Sequence, residues 1–258
     1  MKAVILAGGL GSRLSEETHN KPKPMVEIGG RPILWHIMKI YASHNIREFI
    51  ICCGYKQNKI EQYFKNYSKK NSNIRIKYKN DFFEIKKNKK ETWKVRLVNT
   101  GLKTLTGGRL KRVRKYLKDD EFFFFTYGDG LAKLNMKRQI NYHRKNKKIC
   151  TVLAVRPPSR YGALEIAKSG EVKNFDEKPE KGEGLINGGF FILSPKCFKY
   201  ISGDSSIWET NVLTKLAKIK EMMAFTKYDF WHPMDTLRDK NFLEKIWKNK
   251  KAAWKNWK

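Results

Sequence analysis

Short apolar runs alternate with amphipathic stretches through the first half of the chain, and that alternation sets the first expectation about its architecture. Residues 2–7 are a short apolar run followed by the Gly-rich turn at Gly8-Gly9, which predicts a buried strand feeding a tight turn. Residues 32–44 carry apolar groups at helical spacing, with Pro32 suited to a first helical turn. Glu48–Cys53 returns to strand and Gln57–Tyr67 to helix. Such succession implies parallel strands joined by right-handed helical crossovers. Residues 68–94, rich in Lys and Asn, read as a peripheral excursion, with core resuming at Val95–Thr100.

A helix over 108–117 precedes Phe122-Phe123-Phe124-Phe125-Thr126-Tyr127, apolar enough for a central strand covered on both faces, and Gly128-Asp129-Gly130 ends it. After a helix near 136–146, strand candidates at 149–155, 163–167, 172–176 and 185–193 follow one another with short turns, which predicts a mixed or antiparallel extension. Helices near 207–219 and 236–250 flank the strand-like Met222–Phe225. With no repeat and no long linker, 258 residues read as one α/β domain.

Composition changes this picture mainly through charge. Fifty-five Lys and Arg against 25 Asp and Glu give a net charge of +30, which suits polyphosphate substrates, nucleic acid or an anionic surface. The excess is mostly lysine scattered over polar segments, with no RNA-binding motif, so no nucleic-acid partner is expected. The opening apolar run is too short for an export signal or a membrane span, which predicts a cytoplasmic chain with no membrane partner. Cys52, Cys53, Cys150 and Cys197 lack the spacing of a zinc or disulfide framework. Cys52 and Cys53 should face opposite sides of one strand.

The chemistry concentrates at Leu6-Ala7-Gly8-Gly9-Leu10-Gly11-Ser12-Arg13-Leu14. Glycines between a strand and a helix start let backbone N–H groups approach a phosphate, though the same pattern makes a tight turn. It is no Walker A loop, and Leu14 stands where a dinucleotide motif needs its third glycine. Lys21-Pro22-Lys23-Pro24 follows, each lysine biased towards extended backbone by the proline after it. With Arg13 these form a candidate triphosphate clamp. Asp129 follows the buried strand, where open α/β sheets bind ligands. Asp235 precedes a helix and on pattern alone reads as a cap.

These blocks, together with Thr18, Val26-Glu27-Ile28-Gly29-Gly30-Arg31-Pro32, Thr106-Gly107-Gly108-Arg109, Ile186-Asn187-Gly188-Gly189-Phe190-Phe191 and Met234-Asp235-Thr236-Leu237-Arg238-Asp239, resemble the signature of the sugar-1-phosphate nucleotidyltransferases. Within that family they look most like the branch that joins CTP to glucose 1-phosphate with Mg²⁺. The resemblance implies a Rossmann-like, mostly parallel mixed sheet flanked by helices, with inserted antiparallel β-structure. It divides the domain into a nucleotide-binding core, about 1–135, and a sugar-phosphate part, about 136–258. By resemblance, Leu6 to Leu10, Gly11, Ser12, Arg13, Lys23, Thr104, Arg109 and Gly128 bind the nucleotide. Arg13, Lys23 and Asp129 serve catalysis, and Asp129 and Asp235 hold the metal. Glu177, Lys178 and Asn187 bind the sugar phosphate. The group is commonly oligomeric, so a homo-oligomer is expected, feeding nucleotide sugar towards deoxysugars or a surface polysaccharide such as O-antigen. Two departures stand out: Ala132-Lys133-Leu134-Asn135, where the branch usually has two Asp, and Asn99 where Asp is usual. Base preference, with UTP or dTTP as alternatives, is not fixed by spacing.

Overall fold

The computed structural model describes residues 1–11, 14–67, 75–79, 82–88, 91–158, 163–176, 184–226 and 228–257. Among them, nine strands form one sheet in the order Met222–Phe225, Cys150–Val155, Ile186–Leu193, Phe123–Tyr127, Lys2–Ala7, Glu48–Cys53, Glu91–Asn99, Phe82–Asn88 and Arg75–Lys79. Lys2–Ala7 pairs in parallel with Glu48–Cys53 on one side and Phe123–Tyr127 on the other, and Glu48–Cys53 pairs in parallel with Glu91–Asn99. Only Ile186–Leu193 and Phe82–Asn88 run against the common direction. The mostly parallel sheet with antiparallel additions is therefore as expected.

The aromatic strand explains why the sheet needs two covers. Phe123 and Phe125 enter the apolar cluster on one face while Phe122 and Phe124 enter the other, and all four are buried. Each such ring contributes about 2–3 kcal/mol by leaving water. Cys52 and Cys53 divide between the same two clusters, as strand geometry requires. Burial pushes both thiols up, Cys53 to about 12. Ile33–Ala42 lies almost wholly inside the first cluster, with His36, Ile37 and Tyr41 fully buried.

Residues of the 68–94 excursion are part of the main sheet rather than peripheral to it. Arg75–Lys79 and Phe82–Asn88 pair antiparallel beside Glu91–Asn99, and buried Phe83 stacks on Phe64 of the helix Gln57–Asn66 at 6.1 Å. The lysine-rich composition hid this; Arg75–Lys79 is the edge strand, a position that tolerates charge. The helix expected over 108–117 starts earlier, at Thr106, and breaks after Arg112 into the 3₁₀ turn Arg114–Tyr116. Its first turn is held by Leu105 N–H on Asp204 O and Gly107 N–H on Ser206 O, both 2.9 Å.

The chain does not leave the sheet region at Gly130 but continues into Gly130–Leu134, which pairs antiparallel with Tyr228–Pro233. Neither strand was expected, since Lys133, Asp229 and Pro233 interrupt the apolar pattern. Ala163–Ile166 and Val172–Asp176 form a separate hairpin. The region 207–219 is a π-helical segment, Trp208–Leu213, continued by Thr214–Lys218. After the final helix Leu237–Lys248, Trp254 is fully buried and Trp257 meets Trp35 edge-on at 5.7 Å. The basic aromatic tail thus packs on its own chain. No helix of the described residues is long and apolar enough to cross a membrane.

Candidate active site

A cavity of about 1730 Å³ opens at the carboxyl ends of Lys2–Ala7 and Phe123–Tyr127. These neighbours flank the point where strand order reverses, the place where open α/β sheets leave a ligand crevice. Leu6, Ala7, Gly9, Leu10 and Gly11 form one wall, and Thr104, Arg109 and Gly128 extend it. Lys23, Asp129 and Asp235 form the floor of the same cavity, with Asn187 further along it. Gly8 is not among the residues lining it. Its carbonyl accepts from Arg109 Nη2 at 3.0 Å, and a Cβ there would lie 2.1 Å from Arg109 Nη1. Gly128 is equally constrained, because a Cβ would sit 2.4 Å from Leu6 O. Ser12, Arg13, Glu177 and Lys178 lie outside the described residues.

Lys23 joins the two expected metal ligands. Its Nζ donates to Asp129 Oδ2 at 2.7 Å and to Asp235 Oδ1 at 2.6 Å. Burial alone would depress its pKa, but the Asp129 and Asp235 carboxylates outweigh that and hold it above the ordinary lysine value. The ammonium is therefore a permanent charge at the floor of the cavity. Chain geometry puts the partners together: Pro233 pairs with Gly130 across the short antiparallel ladder, and Met234 N–H bonds Asp129 O at 2.8 Å. Lys23 does not hold the extended backbone its proline suggested. It opens the 3₁₀ turn Lys23–Met25, closed by Met25 N–H on Pro22 O at 2.8 Å. Lys21 turns away to Glu17, 3.5 Å distant, so it does not join Lys23 at the cavity wall.

Asp235 is not the helix cap. Thr236 caps Leu237–Lys248, in a box closed by Asp239, which leaves the Asp235 carboxylate facing Lys23. Two hard carboxylate oxygens that converge on one cationic nitrogen are a donor set suited to a hard divalent cation. Among the described residues no group of three or more His, Cys, Asp or Glu could hold a metal, so such an ion would draw its other ligands from substrate and water.

Arg109 braces the wall to which it belongs. Its guanidinium donates to the carbonyls of Gly8, Cys53, Gly101 and Leu102 and to Thr100 Oγ1, at 2.8 to 3.2 Å. One planar fork thereby fixes the loops after three parallel strands. Thr18 braces the glycine turn from the other side, donating to Leu14 O at 2.9 Å and reaching Gly11 O at 3.1 Å.

Several wall residues were not anticipated: Tyr127, Arg156, Glu209, Trp231 and Arg238. Trp231 Nε1 donates to Gly188 O at 2.7 Å, tying the unforeseen two-stranded ladder to the strand carrying Asn187. Arg238 sits in the block that carries Asp235, so its proximity was available from spacing; Glu209 belongs to no motif. The departures are local. Lys133 is half-exposed and pairs with Asp229 at 3.0 Å, Asn135 caps the helix Met136–Asn146, and Asn99 Oδ1 accepts from Gly101 N–H at 2.9 Å.

A parallel sheet with a glycine turn, a buried lysine and paired carboxylates at its switch point is the architecture of enzymes that move nucleotidyl groups. The chain belongs to the nucleotidyl transferase family, whose model matches residues 2–236. It is 54% identical, over 257 residues and the whole of both chains, to glucose-1-phosphate cytidylyltransferase of Salmonella typhimurium. It is 29% identical over 249 residues to mannose-1-phosphate guanyltransferase of Saccharomyces cerevisiae, covering 94% of this chain and 63% of that one. Among solved structures, HddC from Yersinia pseudotuberculosis superposes with a TM-score of 0.68 at 26% identity, over 95% of this chain and 99% of that one.

Proposed function

We propose that the protein transfers a cytidylyl group from CTP to α-D-glucose 1-phosphate, giving CDP-glucose and pyrophosphate. The observation that carries this reading is full-length identity of 54% to a glucose-1-phosphate cytidylyltransferase, in a chain whose cavity floor holds a doubly paired lysine. The sugar-phosphate oxygen attacks the α-phosphorus in line as pyrophosphate leaves, so the protein must bring two anions together and spread transition-state charge. Lys23 supplies a fixed cation already oriented by Asp129 and Asp235 and needs no reorganisation when charge develops. Arg13, in the glycine turn's sequence, is read as a second phosphate cation. Leu6–Gly11 offers backbone N–H groups, and Arg109 keeps that backbone in place.

Asp129 and Asp235 would hold a divalent cation, for which we propose Mg²⁺, and when bound it supplies countercharge to the phosphates. Asn187 is read as a sugar contact, with Glu177 and Lys178 beside it in role. The division into a nucleotide part, about 1–135, and a sugar part, about 136–258, follows from these roles. We place the reaction in the cytoplasm and expect a homo-oligomer, which light scattering reads directly.

The decisive assay incubates the protein with glucose 1-phosphate, Mg²⁺ and CTP, UTP or dTTP in parallel, with mass analysis of products. CDP-glucose formed faster than either alternative supports the reading. Faster turnover with UTP or dTTP overturns the choice of base.

A further inference from the structure

Glu209 stands at the cavity wall on the π-helical segment Trp208–Leu213, a helix type that recurs at functional positions. Its carboxylate accepts from the Tyr127 hydroxyl at 2.5 Å and from the Thr106 hydroxyl at 2.8 Å. Thr106 Oγ1 in turn accepts from Trp208 N–H at 2.8 Å, so the hydroxyl is held from both sides. Beyond Tyr127, Asn187 Nδ2 lies 3.2 Å from the same hydroxyl oxygen, and Asn187 Oδ1 accepts from Gly189 N–H at 2.8 Å.

The direction of every bond in this chain is fixed. A carboxylate only accepts, and a tyrosine hydroxyl has one proton to give. That proton goes to Glu209, so towards Asn187 the hydroxyl can only accept. Gly189 N–H can only donate, so the amide oxygen of Asn187 must face it. The amide is thus pinned at both ends, with one N–H spent on Tyr127 and the other left for the cavity.

We propose that Glu209 is a positioning residue that acts through Tyr127 to set the Asn187 amide, so that the sugar meets an N–H donor and must offer it an acceptor oxygen. This rests on the reading of Asn187 as a sugar contact. Neither Glu209 nor Tyr127 is asked to touch the reacting phosphates. Their effect should therefore appear in sugar-phosphate binding and spare the nucleotide.

The test is steady-state kinetics of Tyr127→Phe, Glu209→Gln and the double variant, each checked for an unchanged melting profile. Tyr127→Phe keeps the ring and removes the relay. We expect its KM for glucose 1-phosphate to rise about tenfold, the worth of one hydrogen bond, with KM for CTP within about twofold and kcat within about threefold. Glu209→Gln should shift the same constant in the same direction. Because the two act in series, the double variant should be no worse towards the sugar phosphate than Tyr127→Phe alone. An unchanged KM for glucose 1-phosphate in Tyr127→Phe, an equal rise for both substrates, or multiplied effects in the double variant would overturn the relay. Should the unsubstituted protein itself form no nucleotide sugar from glucose 1-phosphate, the proposed function falls, and the sugar role of this relay falls with it.

Discussion

Lys23 and Asp129, 106 residues apart in sequence, are joined by a 2.7 Å ion pair, and the lysine is 91% shielded from solvent at its side chain. Removing the cation should therefore be felt in chemistry first. Lys23→Met is expected to lose about 10²-fold in kcat, the scale of one preorganised charge-stabilising donor. Pyrophosphate release at saturating CTP and glucose 1-phosphate measures this, and a kcat within threefold of the unsubstituted protein would remove Lys23 from the mechanism.

The second partner, Asp235, makes the carboxylates redundant for folding but not for activity. Asp129→Asn or Asp235→Asn alone leaves Lys23 one counter-ion and should cost about 1 kcal/mol. The double variant strands a buried ammonium and should cost about 3–5 kcal/mol. Urea midpoints of the three variants read this non-additivity, while each single variant should already have lost most turnover. Strictly additive stabilities would show that the ammonium escapes to solvent.

Arg109 predicts a coupled loss. Lysine cannot reproduce a planar fork that serves five oxygens, so Arg109→Lys should lower stability by about 3 kcal/mol and raise KM for CTP as the glycine turn loosens. Gly8→Ala should do the same by pushing a methyl group into the guanidinium. Calorimetry and CTP titration of the two variants check the pairing of effects.

His36 sets an acid limit. Its Nε2 donates to Ile28 O at 2.8 Å and its Nδ1 accepts from Trp254 Nε1 at 3.3 Å, so the neutral ring is satisfied at both nitrogens. Burial lowers its pKa from 6.5 to about 4. The unfolded chain therefore takes up the proton first as pH falls. Stability is complete above pH 6.5 and is lost between 6.5 and 4, by up to about 3 kcal/mol from this residue. His143, also lowered to about 4 by burial, adds to the same window. Urea midpoints at pH 7.5, 6 and 5 should fall steadily, and His36→Gln should flatten the slope.

How far the chain could be read in advance depended on whether a signal was local. The parallel core was legible because Ile5, Ile51 and Phe124 lie in uninterrupted apolar runs that nothing but a doubly covered strand accommodates. The glycine turn and Asp129 were legible for a similar reason, each falling directly after such a run. What stayed hidden was pairing between distant segments. Gly130–Leu134 and Tyr228–Pro233 are weak strands individually and exist through each other, so the bond between Lys23 and Asp235 across 212 residues had no local trace. Glu209 was invisible for the same reason: its partners Thr106 and Tyr127 lie more than eighty positions upstream.

The contact between His36 and Trp254 bridges 218 residues. At translation speeds of about 5–20 residues per second, the first long helix must wait roughly 10–40 s on the ribosome before its indole lid has been made. During that interval the flank of the helix that Trp254 covers in the finished fold has no partner to close it.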